Sequence, residues 1–190
     1  MSVLVVAEHI RGELRPVTLE LISAAKSLGG PVAVAVIAKD PGALTDAVNV
    51  EGVDEILTVQ VEQDEFENDV YQHAVEQLVA ERSPDAVLLG FTVGSMGYGP
   101  ALAAKLGLGF ASDVLAVREE DGGLIAERSF YGAKVNGELE FPGHDTVVLL
   151  LRPTAWQPAE GAGSASVTAV EAPAAPSRAR HKDWVEAQAG

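Results

Sequence analysis

Hydrophobic positions along the chain change period several times, and each change marks a boundary. Ser2 to Ala7 is an unbroken apolar run of strand length and β-branched composition, which predicts a parallel strand covered on both faces. The polar stretch Glu8–Gly12 follows. From Pro16 the apolar spacing lengthens to three and four through Val17, Leu21, Ala24, Ala25 and Leu28, and Gly29-Gly30 stops it, which predicts an amphipathic helix. Pro31 to Ala38 and Val53 to Val59 read as further strands, separated by Lys39-Asp40-Pro41-Gly42 and a short helix over Ala43–Val48. A longer helix carries Phe66, Val70, Ala74 and Leu78 one turn apart beside Tyr71, Val75 and Val79. The acidic run Glu62 to Glu67 leads into it, suiting the positive helix end, and Ser83-Pro84 closes it.

Asp85 to Gly109 then reads as a buried strand, a glycine-rich loop and a helix. Up to this point strand and helix alternate at spacings that allow right-handed crossovers, so the fold class is α/β: three layers around a mostly parallel sheet. After Gly109 the rhythm changes. Ser112–Arg118, Leu124–Tyr131, Lys134–Phe141 and Thr146–Leu151 are strand-like pieces joined by connections too short for helices, expected to extend the sheet near its C-terminus with antiparallel strands. Beyond Trp156 proline, alanine, glycine and serine dominate to about Pro176. The expected organisation is therefore a domain over 1–155 and a Pro/Ala/Gly-rich linker over 156–190. Ser177–Gly190, with its basic side chains and Trp184-Val185, is too short to be a domain.

Composition narrows the function. A chain of 190 residues can bury a self-sufficient core, and the lack of cysteine excludes disulfides, thiolate metal sites and cysteine nucleophiles. The formal charge of −15 opposes binding to nucleic-acid backbones and anionic lipid, which leaves a protein or small-molecule partner. No export signal or membrane-spanning apolar run is read, and a cytoplasmic location is the expectation.

Two segments could carry chemistry. In the loop Gly94, Ser95, Met96, Gly97, Tyr98, Gly99, the glycines allow positive φ and close backbone approach ahead of a helix, so its amides could hold an anion. It is neither a Gly-Lys-Ser/Thr phosphate loop nor a full dinucleotide fingerprint, because Leu102 stands where the third glycine belongs. Gly94, Gly97 and Gly107 do show a Gly-x-x-Gly-x9-Gly spacing that resembles nucleotide-binding universal stress proteins, although Leu108 replaces their Ser or Thr. The loop is thus a tight-turn scaffold or a nucleotide site. The second segment is Glu8-His9 with Arg11 after the first strand, a carboxylate and imidazole suited to acid–base work or to tying down a loop. No nucleophile motif accompanies it, so no catalytic residue is assigned. His9, His73, His144 and His181 are scattered, so no metal site is expected.

Several segments, in order, resemble one family. Val6-Ala7-Glu8-His9, Gly12 to Leu19, Ala24 to Gly29, Pro84 to Leu89, the Gly97–Pro100 turn, Leu102 to Leu106, Ser112-Asp113-Val114 and Leu151 to Trp156 are similar to the N-terminal region of the electron-transfer flavoprotein alpha subunit. The resemblance covers roughly residues 1–155 and implies a Rossmann-like, adenine nucleotide alpha hydrolase-like domain. It further implies a scaffold and docking role beside a beta subunit, in a flavin-based shuttle from dehydrogenases to a quinone reductase or similar acceptor. FAD would belong to the complete heterodimer, with most contacts from a C-terminal domain not present here, and AMP to the partner beta subunit. The chain itself would be an electron-carrier subunit fragment rather than an enzyme. Arg128, Tyr131 and Arg152 are the implied subunit contacts. The family commonly has Arg-Pro-x-Tyr-Ala-Gly where this chain has Arg128-Ser129-Phe130-Tyr131-Gly132-Ala133. Ser177 to His181 resembles the start of the FAD domain, so the expectation is a truncated, proteolysed or naturally split subunit. The alternative is a stand-alone adenine-nucleotide-binding module resembling universal stress proteins.

Overall fold

Strands that are apolar on both faces must be covered on both faces, and the chain meets this with one sheet between two helical layers. The computed structural model describes residues 1–174 and 177–185. Its elements run β1 (Val3–Val6), the small hairpin β2 (His9–Ile10) and β3 (Glu13–Leu14), α1 (Val17–Ser27), β4 (Val32–Ala38), α2 (Gly42–Val48), β5 (Glu55–Gln60), α3 (Asn68–Arg82), β6 (Ala86–Gly90) and α4 (Val93–Leu106). They continue with β7 (Gly109–Glu120), β8 (Gly123–Phe130), β9 (Val135–Leu139), β10 (Val147–Leu151) and β11 (Ser166–Val170). Apart from the β2–β3 hairpin, the strands form a nine-stranded sheet in the order β11-β5-β4-β1-β6-β10-β7-β8-β9. Pairings from β11 to β7 are parallel, and β7-β8-β9 is an antiparallel meander.

The side-chain alternation of each strand divides the core in two. Val3, Val5, Val34, Val36, Leu88 and Leu149 pack with Leu21, Ile22 and Ala25 of α1, and with Leu44 and Val48 of α2. Leu4, Val6, Ile37, Leu89 and Leu150 pack on the other face with Tyr71 and Leu78 of α3, and with Tyr98 and Leu102 of α4.

Three expectations are corrected. Val147–Leu151 does not add an antiparallel edge; it inserts between β6 and β7 and runs parallel to both. All its residues are buried, and an unbroken Val-Val-Leu-Leu-Leu run has no polar face to leave in water. The antiparallel extension consists of β7, β8 and β9 alone. The stretch after Trp156 is not simply a linker either. Thr154 N donates to Glu20 Oε2 at 2.6 Å, Ala159 N to the Leu19 carbonyl at 3.0 Å and Gly163 N to the Asn49 carbonyl at 2.9 Å. These bonds lead the chain back across α1 to the far edge, where Ser166–Val170 pairs with β5. A unit ending at residue 155 would lack this edge strand. Finally, the expected glycine-rich loop is helical from Val93 onward. The rest of the expected linker includes 175–176 and 186–190, which lie outside the described residues.

Leu149→Ala, in the middle of the inserted strand and 0 % exposed, is expected to cost about 2–5 kcal/mol of stability. Val167→Ala, on the edge strand and 55 % exposed, should change it by no more than about 0.5 kcal/mol. Denaturant melts of the two variants check this contrast.

Candidate functional site

The first turn of α4 meets the end of β1 at a carboxylate. Thr92 caps the helix, its Oγ1 accepting from Ser95 N at 3.3 Å. Glu8 then accepts from Ser95 Oγ at 2.8 Å and from Thr92 Oγ1 at 3.0 Å. Gly90 makes room for this, since a Cβ there would lie 2.8 Å from Glu8 Oε1. Burial pushes the Glu8 carboxyl above its ordinary value, and the two hydroxyls and the nearby Arg15 charge oppose that rise. The carboxylate is thus fastened beside the positive end of α4 through two side-chain hydroxyls of its first turn.

The glycines of this segment do not use the positive φ that their sequence allows. None of Gly94, Gly97 or Gly99 has positive φ. Gly99 is buried, and a Cβ there would come within 2.9 Å of Leu150 Cδ1 and 3.1 Å of Leu89 Cδ1, so its role is close packing of α4 on β6 and β10. Gly94 is looser, with Phe66 at ordinary contact distance of 3.6 Å. Ser95 and Tyr98 turn inward, while Met96 and Gly97 face outward.

His9 is 7 % exposed, beneath the same rim. Tyr71 Oη donates to the Ile37 carbonyl at 2.8 Å, and His9 Nε2 lies 3.0 Å from both groups. A carbonyl only accepts and the tyrosine proton is already used, so the network assigns the hydrogen to Nε2. Nδ1 is left buried without a partner among the described residues. Glu8 and His9 thus bond to different neighbours and form no acid–base pair. Arg11, the third member of the expected cluster, stands over the Trp184 ring at 4.8 Å.

Together these groups border a cavity of about 510 Å³ at the carboxyl ends of the strands. Phe66, Tyr71 and Tyr98 form an aromatic wall, with ring centroids 4.7 to 6.1 Å apart, and His181 and Trp184 roof it. The returning segment is tied down by Arg178, whose Nη2 lies 2.7 Å from Asp69 Oδ1 and whose backbone N lies 2.7 Å from Oδ2. This pairing holds the Asp69 carboxyl down at about 2.

The residues expected at a subunit contact lie around the meander. Arg152 Nε and Nη2 each reach Asp113 at 2.7 Å, so Arg152 pins the root of β7. Arg128 stacks on Phe130 at 5.1 Å and its charge also acts on Asp113. Tyr131 is apart from both, in the β8–β9 turn, and is 83 % exposed. Among the described residues no cluster of three or more acidic, histidine or cysteine side chains could hold a metal ion. Nor is any described helix long and apolar enough to cross a membrane.

Residues 3–175 match the profile of the Electron transfer flavoprotein domain. This chain belongs to the electron transfer flavoprotein family. It is 46 % identical over 193 residues to the electron transfer flavoprotein subunit alpha of Methylophilus methylotrophus, covering 100 % of this chain and 60 % of that protein. It is 37 % identical to the alpha subunit of Mycobacterium leprae, covering 90 % of this chain and 54 % of the relative. Protein FixB of Clostridium saccharobutylicum is 27 % identical, over 82 % of this chain and 48 % of its own length. The chain thus spans a little over half the length of these alpha subunits. The family implies a flavin; at the start of α4 the group nearest a diphosphate would be the Glu8 carboxylate, bonded to Thr92 and Ser95, which is of the wrong charge to hold one.

Sequence reasoning missed Phe66, Tyr71, Asp69 and Arg178 as neighbours of Glu8 and His9. Their separation in sequence hides them, although Tyr71 on the apolar stripe of α3 was a visible polar tip on a core face. Gly99→Ala is expected to destabilise the domain by about 1–3 kcal/mol. Gly94→Ala should be neutral or stabilising by up to about 1 kcal/mol; thermal melts separate the two. Because the Glu8 pKa is raised on folding, wild-type stability should fall as pH rises from the ordinary 4.5 through the raised value. Glu8→Gln should lack that fall in melts recorded between pH 4 and pH 8.

Proposed function

We propose that this domain is the N-terminal scaffold and docking domain of an electron-transfer flavoprotein alpha subunit, pairing with a beta subunit. The observation that carries the docking role is the exposed tip of the antiparallel meander. Tyr131, Gly132 and Ala133 all have left-handed backbone, with φ of 53°, 65° and 64°. Two non-glycine residues in that region store strain, which native structure retains where the surroundings fix it. The strain here presents Tyr131 to solvent beside Val135, itself 52 % exposed. A large exposed aromatic with only two side-chain torsions suits an interface anchor, since it buries much area for little side-chain entropy. The Asp113–Arg152 pair holds the base of the meander, so the tip is carried on a fixed support.

In this reading the domain is an electron-carrier component without a catalytic site of its own. FAD is held by the complete heterodimer and AMP by the beta subunit. The assembly moves electrons from flavin dehydrogenases to a quinone reductase or similar acceptor. The beta-facing contacts are Tyr131 and its neighbours near Arg128, with Arg152 acting through Asp113.

The test is co-expression with an electron-transfer flavoprotein beta subunit. The wild-type chain should co-purify with it, and Tyr131→Ala should weaken association about tenfold or more while leaving the melting temperature of the free chain unchanged. Failure of the wild-type chain to associate contradicts the docking role, and so does a stoichiometric flavin spectrum from the chain alone.

A further inference from the structure

Two complementary runs of charge stand far apart in sequence. Glu62, Asp64, Glu65, Glu67 and Asp69 lead into α3, whereas Arg178, Arg180, His181 and Lys182 lie close together past β11. The fold brings them face to face. Arg178 donates to the Asp69 carboxylate from Nε, Nη2 and its backbone N, the last two at 2.7 Å, and His181 N donates to Glu67 Oε1 at 3.2 Å. On the other side of the cavity mouth Arg11 N donates to Glu65 Oε1 at 3.1 Å, which fixes the β2–β3 turn. The Arg11 guanidinium lies over the Trp184 ring at 4.8 Å, and Trp184 packs on His181 with ring centroids 5.0 Å apart. Ser177–Val185 therefore bridges the start of α3 and the β2–β3 hairpin, with the cavity beneath.

Charge rather than burial holds this bridge. It forms no helix or strand and none of its residues is buried. The Arg178 side chain is 87 % exposed although that of Asp69 is only 9 % exposed. Arg180 and Lys182 line, together with Glu62 and Glu65, a gap of about 530 Å³ between the segment and the acidic run. Exposed ion pairs are individually weak and are screened by salt, so a segment held this way sits at the low end of local stability. Asp69 also tolerates the loss of its partner, since a carboxylate in the first turn of α3 is favoured by the positive end of the helix.

We propose that Ser177–Val185 is an electrostatically latched strap, closed over the cavity when Arg178 is seated on Asp69 and open when that pair parts. The Arg178–Asp69 pair is the latch, and the stack of Arg11, Trp184 and His181 is the far end that follows it. Opening lifts away the two rings that roof the cavity and uncovers the wall of Phe66, Tyr71 and Tyr98 from that side. The strap thus decides access to the cavity, and ionic strength shifts its balance. It works in the isolated domain, with or without a docked partner.

Trypsin reads the strap directly, because Arg178, Arg180 and Lys182 are cleavage points that a protease takes only in a released, extended segment. The 190-residue chain is digested briefly, and cleavage after Arg180 is followed by mass spectrometry relative to cleavage after Lys134 in the β8–β9 turn. Arg178→Gln should speed cleavage after Arg180 about fivefold at about 20 mM salt, the size expected for one ion pair. Asp69→Asn should do the same, and the double variant no more than either alone. Raising the salt to about 500 mM should speed the wild type by a similar factor and leave both variants unchanged. Acrylamide quenching of Trp184, taken as the difference from Trp184→Phe, should rise with the same changes. Arg178 stands on the exposed strap, so Arg178→Gln keeps its fold even if Asp69→Asn disturbs the start of α3, and thermal melts check both. A wild-type rate already equal to that of Arg178→Gln at low salt overturns the proposal, since no closed state then exists. So does a rate that neither variant nor salt moves, or effects of the two variants that add.

Discussion

The architecture hinges on how a fully buried strand reaches the middle of the sheet. Val147–Leu151 sits between β6 and β7, yet β7 precedes it in sequence, so the chain must run outward to the sheet's edge and return to its middle. The meander β7-β8-β9 is that excursion. Its root is pinned where Arg152, the first residue after β10, meets Asp113 with two 2.7 Å bonds, and Arg152 N donates to the Val114 carbonyl at 2.8 Å. Asp113 itself has φ of 60° and is skipped by the ladder to β10, and the ladder to β8 shifts register at Leu115. A bulge of this kind bends and twists a strand, so that one half of β7 belongs to the parallel core and the other half to the arm.

The same topology separates two surfaces. The arm carries strain and an exposed aromatic away from the helical layers. The carboxyl ends of β1 and β6 instead form a concave site whose polar groups are mostly satisfied from within. At α4 the fold supplies a positive helix end and fastens its own carboxylate beside it.

Much of the fold was legible because it depends on local periodicity. The runs Val3–Val6, Val32–Ala38 and Ala86–Gly90 could hardly be anything but buried parallel strands, and the stripe through Val70, Ala74 and Leu78 fixed α3. Three features were not legible, for physical reasons. Val147–Leu151 resembles an added edge piece by its neighbours, and only its unbroken apolar character betrays an interior place. Ser166–Val170 lies in Pro/Ala/Gly-rich surroundings, and its pairing with β5 depends on a long crossover tied down by Glu20 and Asn49. Gly94, Gly97 and Gly99 look like a loop because glycine is a poor helix former; the Thr92 cap and the tight packing of Gly99 against Leu89 and Leu150 outweigh that preference. Of the candidate site, Glu8 and His9 could be singled out from sequence. Their partners Ser95, Tyr71 and Ile37 could not, because they meet only in three dimensions.

The central claim is that the meander is the partner-facing surface of this domain. Hydrogen–deuterium exchange of the chain, alone and mixed with an electron-transfer flavoprotein beta subunit, tests it most directly. Protection should appear across residues 128–137 and the outer half of β7. An arm that exchanges identically in both samples, with protection confined to the rim around Glu8 and Val93 or found nowhere, would contradict it.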